Sequence, residues 1–349
     1  MSEYIEYKKW LDNVKDNDLL KELKSIENDD VQIKNRFYKE LEFGTGGLRG
    51  IIGVGTNCLN IYTIRKATAG LCKYLKESGG KSAAISYDSR INSQLFARTA
   101  AEVFASCGIK AYITKELMPT PFLSFAVRHL KADVGVMITA SHNPAAYNGY
   151  KVYGSDGCQI TDNFANAVIE KINSIDAFDI NTDSFDNYLK SGIIEYMSPG
   201  VEREFLLCAS ACGINDIVDI KICYTPLNGT GYKLVPKILK LRGAKDIVTV
   251  KEQNYPDGSF KTCPYPNPEK AEALKLGLER AAKKNCDILL ATDPDADRVG
   301  VAVKDGGSFK LLMGNQTGIL LTEYLLSQKR ERGTLPDNPI IIKTIVTTK

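Results

Sequence analysis

The sequence predicts an α/β protein made of two consecutive βαβαβ units. Two observations predict this class. Short apolar runs of strand length alternate with longer segments of helical periodicity between residues 62 and 138, and the same alternation begins again near residue 222. Such alternation is typical of parallel strands joined by right-handed helical crossovers. In sheets of this kind, ligands bind at the carboxyl ends of the strands.

The amino-terminal half begins with residues 5–41, where charged residues mix with apolar ones at helical spacing and predict two short surface helices. Glycines at positions 79 and 108 favour helix ends, because glycine readily takes the left-handed conformation that closes a helix. The elements predicted next are helices at 64–77, 93–107 and 121–130 and strands at 83–87, 109–114 and 134–138.

The carboxyl-terminal half follows a polar stretch at 173–198. Here the sequence predicts strands at 222–224, 247–250 and 287–290, helices at 232–241 and 269–284, and a hairpin joining 299–303 to 310–312. A helix at 317–328 and a strand at 340–346 would begin a third unit. We therefore expect domain boundaries that divide the chain into residues 1–198, 199–312 and 313–349.

The composition is that of an ordinary globular protein, with 44% hydrophobic residues, 25% charged residues and a formal net charge of +3 over 349 residues. This balance gives no reason to expect a nucleic-acid or membrane partner. The nine cysteines are scattered without a CxxC pair, which favours free thiols over disulfides or zinc. The amino terminus lacks an apolar signal core, and no stretch has the roughly 20 apolar residues of a membrane span. We expect a cytoplasmic protein.

Small, polar and turn-forming residues follow the apolar run of the predicted strand 134–138. Ser141 lies just past the carboxyl end of this strand, with His142 beside it and Lys151 ten residues on. A hydroxyl at this position is well placed to meet a ligand. The same residues also suit a structural loop, in which Ser141 and Asn143 satisfy turn amides and the following proline stiffens the backbone.

Three aspartates alternate directly after the predicted strand 287–290. Alternate residues of an extended segment face the same way, so Asp293, Asp295 and Asp297 could converge on one small cation. Carboxylate oxygens without nearby histidine or cysteine favour Mg²⁺ over zinc. An exposed acidic turn is the alternative, although it would not require this spacing after an apolar strand.

A glycine-rich segment at 43–50 contains a single arginine, Arg49. Glycines let backbone amides approach an anion, and an arginine can bind phosphate with two parallel hydrogen bonds. The segment is not a P-loop, because it lacks the GK[ST] ending. Arg90, just past the strand at 83–87, and Arg298, at the end of the aspartate segment, are further candidates for phosphate binding.

A serine at one strand end and a cation loop at another suit phosphoryl transfer, in which positioning and charge neutralisation supply most of the catalysis. A proton must also move, and Lys151 and His142 are the candidates nearest Ser141 in sequence. Turn capping by His142 and simple solvation of Lys151 are the structural alternatives.

Three motifs resemble those of the α-phosphohexomutases, the phosphoglucomutase and phosphomannomutase superfamily. Thr-Ala-Ser-His-Asn-Pro at 139–144, with Asn-Gly-Tyr-Lys at 148–151, resembles the phosphoserine loop. Asp-Pro-Asp-Ala-Asp-Arg at 293–298 is similar to the magnesium loop, and Phe-Gly-Thr-Gly-Gly-Leu-Arg-Gly at 43–50 to the amino-terminal substrate loop. The residues around Arg49 most resemble the branch that contains the longer phosphoglucomutases and phosphopentomutases.

This resemblance implies mixed-sheet domains of the phosphohexomutase type and a phosphosugar mutase activity. By resemblance, a phosphate on Ser141 would pass to a sugar monophosphate, giving a bisphosphate that turns over and returns its other phosphate, a net shift between C1 and C6. Glucose 1,6-bisphosphate would be the activator. The implied Mg²⁺ ligands are phosphorylated Ser141, Asp293, Asp295 and Asp297. Arg49 and Arg298 would contact phosphate, and Lys151 would serve as acid or base.

The resemblance also predicts a truncation. Family members have four domains, and motifs of the third and fourth, a sugar-selecting loop and a phosphate clamp, have no counterpart here. We expect a chain truncated early in the third domain, with impaired turnover. Phosphopentomutase, phosphomannomutase and a non-catalytic sugar-phosphate-binding protein remain alternatives. A small sugar phosphate is the expected partner, and the preferred sugar and the oligomeric state are left open.

Overall fold

The computed structural model describes residues 2–343. These residues form two compact units, each described by itself below. The first unit runs to Phe205 and includes the short segment Asp257–Ser259, whereas the second comprises Leu206–Pro256 and the residues from Phe260 onward. Each unit contains one mixed β-sheet, which agrees with the predicted α/β class.

The first unit has a six-stranded sheet with the order β1-β5-β4-β2-β3-β6. Strands β4, β2, β3 and β6 are parallel neighbours, whereas β5 pairs antiparallel with both β4 and β1. The strands are β1 (Leu48–Ile51), β2 (Ser82–Tyr87), β3 (Lys110–Ile113), β4 (Val134–Ile138), β5 (Tyr147–Gly154) and β6 (Ile194–Tyr196). The helices are α1 (Ser2–Asn13), α2 (Asn17–Ser25), α3 (Asp30–Phe37), α4 (Ile61–Glu77), α5 (Ser93–Ser106), α6 (Thr120–Leu130), α7 (Asp162–Asn173) and α8 (Phe185–Ser191). Helix α9 (Pro199–Ala211) begins in the first unit and ends in the second.

Strand β4 is buried on both faces of this sheet. Val136 and Ile138 belong to the large core cluster that also contains residues of α4 and α5, whereas Met137 packs in a second cluster with Leu123 and Val127 of α6. Burial on both faces explains why the strand is a continuous apolar run rather than an alternating one. The packing of β4 between two core clusters also fixes the position of its carboxyl end, which Ser141 follows.

The second unit has a five-stranded sheet with the order β11-β10-β9-β7-β8. Strands β8, β7 and β9 are parallel, and β9, β10 and β11 form an antiparallel meander. The strands are β7 (Lys221–Thr225), β8 (Asp246–Thr249), β9 (Ile288–Thr292), β10 (Val299–Asp305) and β11 (Ser308–Leu312), and the helices are α10 (Gly231–Leu241), α11 (Ala271–Lys283) and α12 (Gly314–Glu331). Leu274 of α11 and Leu289 of β9 lie in the buried core of this unit.

The amino-terminal region differs from the prediction, because it forms three helices rather than two surface ones. Asp16 caps the amino terminus of α2 by accepting from two backbone amides, and Asp29 caps α3 by accepting from one, so each aspartate starts a new helix. The helices also enclose their own core, in which Trp10 contacts the rings of Phe37 and Tyr62 edge-on.

Several elements in the first unit were not predicted, notably β1, β5, α7 and α8. Strand β5 contains Asn148 and Gly149, a dipeptide typical of turns, so its local sequence does not indicate a strand. The predicted strand at 340–346 is wrong for residues 340–343, which form neither helix nor strand, and its remainder lies outside the described residues. Within residues 2–343, no helix combines the length and apolar character that a bilayer span requires.

All nine cysteines fall within residues that the structure describes, and each is a free thiol. This agrees with the expected absence of a disulfide framework among them. Most are buried in the cores of the two units, whereas Cys158, Cys208 and Cys212 are exposed. Their distribution is that of small apolar core residues with a few surface thiols.

Candidate active site

Ser141 follows the carboxyl end of β4 in a strained backbone conformation. Its φ is 54°, in the left-handed region that residues with a side chain seldom adopt. Its amide donates a hydrogen bond of 2.8 Å to Thr139 Oγ1. The residue is only 4% exposed and is therefore largely enclosed by the protein. Strain of this kind concentrates at functional sites, where surrounding contacts hold it in place.

His142 lies beside this serine, and Arg49 contacts the same loop. His142 Nδ1 is 3.2 Å from Ser141 Oγ, within hydrogen-bonding reach. Arg49 is exposed on β1, and its guanidinium donates a hydrogen bond of 3.4 Å to the side-chain oxygen of Asn143. The strands therefore bring the glycine-rich segment and the serine loop together.

Lys151 lies on β5 rather than in a loop. It stands opposite Met137 in the antiparallel register and is only 6% exposed. The alternative of a solvated surface lysine is therefore wrong. A lysine this enclosed, on a strand adjacent to β4, is fixed by the sheet with respect to the serine loop.

Arg90 occupies a different place from a substrate-binding arginine. It is 3% exposed, and its guanidinium lies beneath the serine loop, where it donates to the backbone carbonyls of Pro144 at 2.9 Å and Tyr147 at 3.0 Å. It also donates to the carbonyls of Ser141 and Asn143. These contacts engage the guanidinium with protein backbone.

Asp88 is the ionic partner of Arg90. Arg90 Nε lies 3.3 Å from Asp88 Oδ2, and both side chains are fully buried. Burial raises the pKa of the Asp88 carboxyl, against the opposing effect of the neighbouring guanidinium. Thr139 donates a hydrogen bond of 2.6 Å to the same carboxylate. The sequence predicts Arg90 only as a candidate phosphate ligand, and nothing in its local pattern indicates this network.

Two glycines allow the strands around the serine loop to approach closely. A Cβ at Gly149 would lie 2.4 Å from the carbonyl oxygen of Thr139, and one at Gly47 would lie 1.8 Å from that of Tyr150. Neither distance is tolerable for a carbon atom, so only glycine permits this packing. Gly47 also has a φ of 74°.

The three aspartates that follow β9 in the second unit do converge. One carboxylate oxygen from each of Asp293, Asp295 and Asp297 lies within 4.8 Å of the others. Asp293 and Asp295 are fully buried, whereas Asp297 is exposed. A buried pair of this kind is not a solvated acidic turn. Arg298 follows directly, and its amide donates a hydrogen bond of 3.1 Å to Asp293 Oδ1.

The electrostatics of this acidic cluster favour a bound cation. Burial raises the pKa of Asp293 well above its usual range, and the nearby carboxylates of Asp295 and Asp297 raise it further. Oxygen ligands at this spacing suit a hard divalent ion, which would relieve both the desolvation and the repulsion. The donor set therefore fits a hard divalent cation.

A supporting loop after β7 escaped the sequence analysis. Thr230 donates its amide to the carbonyl of Pro294 at 2.8 Å, and a Cβ at Gly229 would lie 2.4 Å from the Cα of Pro294. Asn228 has a φ of 60°. The Asn-Gly dipeptide at a strand end was the available signal, because such pairs are typical of tight backbone turns.

Comparisons with known proteins agree with this geometry. Residues 40–179 match the model of phosphoglucomutase/phosphomannomutase, alpha/beta/alpha domain I, and residues 211–307 match domain II of the same family. The phosphoglucomutase of Staphylococcus saprophyticus is 37% identical over 344 residues, covering 97% of this chain and 61% of the relative. That of Staphylococcus haemolyticus is 36% identical over 313 residues, covering 89% of this chain and 56% of the relative.

Solved structures give the same result. A putative phosphomannomutase from Thermus thermophilus has a TM-score of 0.70 and 27% identity, covering 85% of this chain and 63% of that one. A phosphoglucomutase/phosphomannomutase family protein from Burkholderia thailandensis shares the fold with a TM-score of 0.67 at 21% identity, covering 82% of this chain and 59% of that one. The chain thus spans about 61% of the length of the first of its curated relatives. It belongs to the phosphoglucomutase/phosphomannomutase family.

Proposed function

We propose that this chain performs the phosphoryl-transfer chemistry of a phosphosugar mutase, with Ser141 as the residue that accepts and returns the phosphate. The observation that carries the proposal is the conformation of Ser141 at the end of β4, with a φ of 54° and its hydroxyl 3.2 Å from His142 Nδ1. The arrangement holds one hydroxyl in a fixed position, which is the main requirement for phosphoryl transfer.

In the proposed step, Ser141 Oγ attacks a phosphorus atom of a sugar bisphosphate. A bond forms between phosphorus and Oγ, the bond between phosphorus and the sugar oxygen breaks, and the sugar oxygen takes up a proton. The serine proton passes to a base, for which His142 and Lys151 are the candidates. His142 is within hydrogen-bonding reach of the hydroxyl, and Lys151 is enclosed on β5.

Asp293, Asp295 and Asp297 would hold Mg²⁺, because their converging carboxylates fit a hard divalent cation. When bound, the ion would supply positive charge against the phosphoryl oxygens. We assign Arg49 and Arg298 to phosphate binding. Arg49 is exposed beside the serine loop, and Arg298 is joined through its backbone to the acidic cluster. Glucose 1,6-bisphosphate is the proposed activator and a hexose phosphate the proposed substrate.

The sugar is a separate question. Both phosphoglucomutases and a putative phosphomannomutase resemble this chain, and the family alternative of a phosphopentomutase also stands. The chain spans 61% of the first of its phosphoglucomutase relatives. We therefore propose transfer of a phosphate to Ser141 rather than complete turnover of the sugar phosphate. The domain boundaries near residues 198 and 312 likewise remain predictions.

The test is mass spectrometry of the peptide that contains Ser141, after incubation with Mg²⁺ and glucose 1,6-bisphosphate. We expect one added phosphate on Ser141, none in Ser141→Ala, and a much smaller amount in Asp295→Ala. Binding of a sugar phosphate to folded protein without phosphorylation would refute the proposal and favour a non-catalytic binding protein.

A further inference from the structure

The serine loop is held from below by one buried ion pair. The side chains of Asp88 and Arg90 are both fully buried, with Arg90 Nε 3.3 Å from Asp88 Oδ2. Placing two opposite charges in a protein interior costs desolvation energy that the pair alone seldom recovers. The additional hydrogen bonds that the pair makes therefore matter, and most of them lead to the loop that carries Ser141.

Arg90 donates hydrogen bonds to four backbone carbonyls of this loop. Its Nη1 donates to the carbonyls of Pro144 at 2.9 Å and Tyr147 at 3.0 Å, and its Nη2 donates to those of Ser141 and Asn143. Arginine carries five N–H donors in a planar fork, whereas lysine has three on a single atom. A lysine could not reach four carbonyls spread over this segment with the same geometry.

Asp88 reaches the opposite side of the same serine. It accepts a hydrogen bond of 2.6 Å from Thr139 Oγ1, which in turn accepts from the amide of Ser141 at 2.8 Å. Its other oxygen accepts from the amide of Arg90 at 2.9 Å and from Ser93 Oγ at 2.7 Å. The ion pair thus reaches the C=O group of Ser141 directly through Arg90 and its N–H group through Thr139.

This double hold matters because Ser141 is in the left-handed region, with a φ of 54°. A residue with a side chain leaves that region unless its surroundings fix it there. The direction of the Ser141 hydroxyl depends on the backbone conformation at the same residue. Control of the N–H and C=O groups is therefore control of where the hydroxyl points.

We propose that Arg90, anchored by Asp88, is a positioning residue that fixes the reactive conformation of Ser141, rather than a ligand of the substrate phosphate. The inference rests on the proposed function of Ser141 as phosphate acceptor. It replaces our expectation from the sequence that Arg90 binds phosphate, since its guanidinium is buried against four loop carbonyls.

The test measures the rate of Ser141 phosphorylation by glucose 1,6-bisphosphate and Mg²⁺ in Arg90→Ala and Arg90→Lys. We expect the maximal rate in Arg90→Ala to fall about 100-fold, the effect of a misplaced reacting group, with little change in the half-saturating bisphosphate concentration. Guanidinium ion at a concentration that does not denature the protein should restore part of this rate by filling the vacated space. Arg90→Lys should remain well below wild type. Arg128→Ala, which removes an exposed arginine of the same unit, is the matched control.

A second readout is hydrogen exchange of the peptide covering residues 139–147, which should become faster in Arg90→Ala and remain unchanged in Arg128→Ala. A raised half-saturating concentration with an unchanged maximal rate would overturn the proposal and make Arg90 a phosphate ligand. Unchanged loop exchange in a folded Arg90→Ala variant would overturn it as well. If wild-type Ser141 takes up no phosphate, the proposed function fails, and the exchange result alone decides whether Arg90 fixes the loop.

Discussion

Removing one carboxylate from the acidic cluster should stabilise the protein when no metal is present. Asp293 and Asp295 are fully buried after β9, and their oxygens and one of Asp297 lie within 4.8 Å of one another. Asparagine has nearly the same shape as aspartate but no charge. We therefore expect Asp295→Asn to unfold at a higher urea concentration than wild type in the presence of EDTA.

The magnitude follows from the separation of the charges. Two unit charges 4.8 Å apart repel by about 3.5 kcal/mol at an effective dielectric constant of about 20. Two effects reduce this value: Asp297 is exposed to screening water, and the raised pKa of Asp293 lets that group take up a proton instead. We expect Asp295→Asn to increase the free energy of unfolding by about 1–3 kcal/mol.

Magnesium should reverse the order of the two proteins. A ligand that binds only the folded state stabilises it by about 2.7 kcal/mol at 100 times its dissociation constant. Wild type should gain this stability as Mg²⁺ is added, whereas Asp295→Asn, which lacks one ligand, should gain much less. The measurement is urea unfolding followed by circular dichroism, at matched ionic strength with and without Mg²⁺.

Asp305→Asn is the matched control, because Asp305 is an exposed aspartate of the same unit with 65% of its side chain accessible. Its stability should change little, and its response to Mg²⁺ should match wild type. A metal-free Asp295→Asn protein that is less stable than wild type would refute the reasoning. It would show that the buried carboxylates support the fold by hydrogen bonding rather than oppose it by repulsion.

Three further predictions concern the scaffold. Gly149→Ala should lower the free energy of unfolding by about 1–3 kcal/mol, because the new Cβ would lie 2.4 Å from a backbone carbonyl oxygen, whereas Gly44→Ala, with open space around it, should be nearly neutral in the same urea titration. Asp16→Ala should cost about 1 kcal/mol by removing the cap of α2, and an unchanged urea midpoint would contradict that role. A hydrogen bond from the Cys72 thiol lowers the pKa of Cys107 to about 6, so its alkylation rate should rise with a midpoint near pH 6 and saturate above it. Cys72→Ala should move this midpoint upward, and a wild-type midpoint near pH 8.5 would refute the assignment.

The buried parallel strands were the most predictable part of the fold. The structure begins and ends β4 at the predicted residues, because a strand buried on both faces is a continuous apolar run and the polar residues after it mark its end. Strand β5 could not be found in this way. Its residues Asn148 and Gly149 favour a turn locally, and only pairing with β4 on one side and β1 on the other makes them a strand.

In the candidate site, too, local patterns were predictable from the sequence and long-range contacts were not. The spacing of Asp293, Asp295 and Asp297 predicted their convergence, but not its cause. The residues form a turn, closed by a hydrogen bond of 3.0 Å from the Ala296 amide to the Asp293 carbonyl, rather than the expected extended segment. The place of Arg90 depends on contacts 51 to 57 residues away in the chain, which no local pattern contains. Charge and position at a strand end suggest a phosphate ligand, whereas its burial against loop carbonyls supports the positioning role proposed above.

The two loops that carry the proposed chemistry have one backbone feature in common. Each contains a residue with a side chain in the left-handed region, Ser141 with a φ of 54° and Ala296 with a φ of 52°. Ser141 is fixed by the ion pair beneath it, and the Ala296 loop is closed by a hydrogen bond of 3.0 Å from its amide to the Asp293 carbonyl. Such strain persists only where neighbouring segments over-determine the backbone, so the proposed chemistry depends on the residues that support these loops as well as on those that would touch the substrate. Substitutions at Arg90 or Gly229 should therefore impair phosphoryl transfer without removing any reacting group.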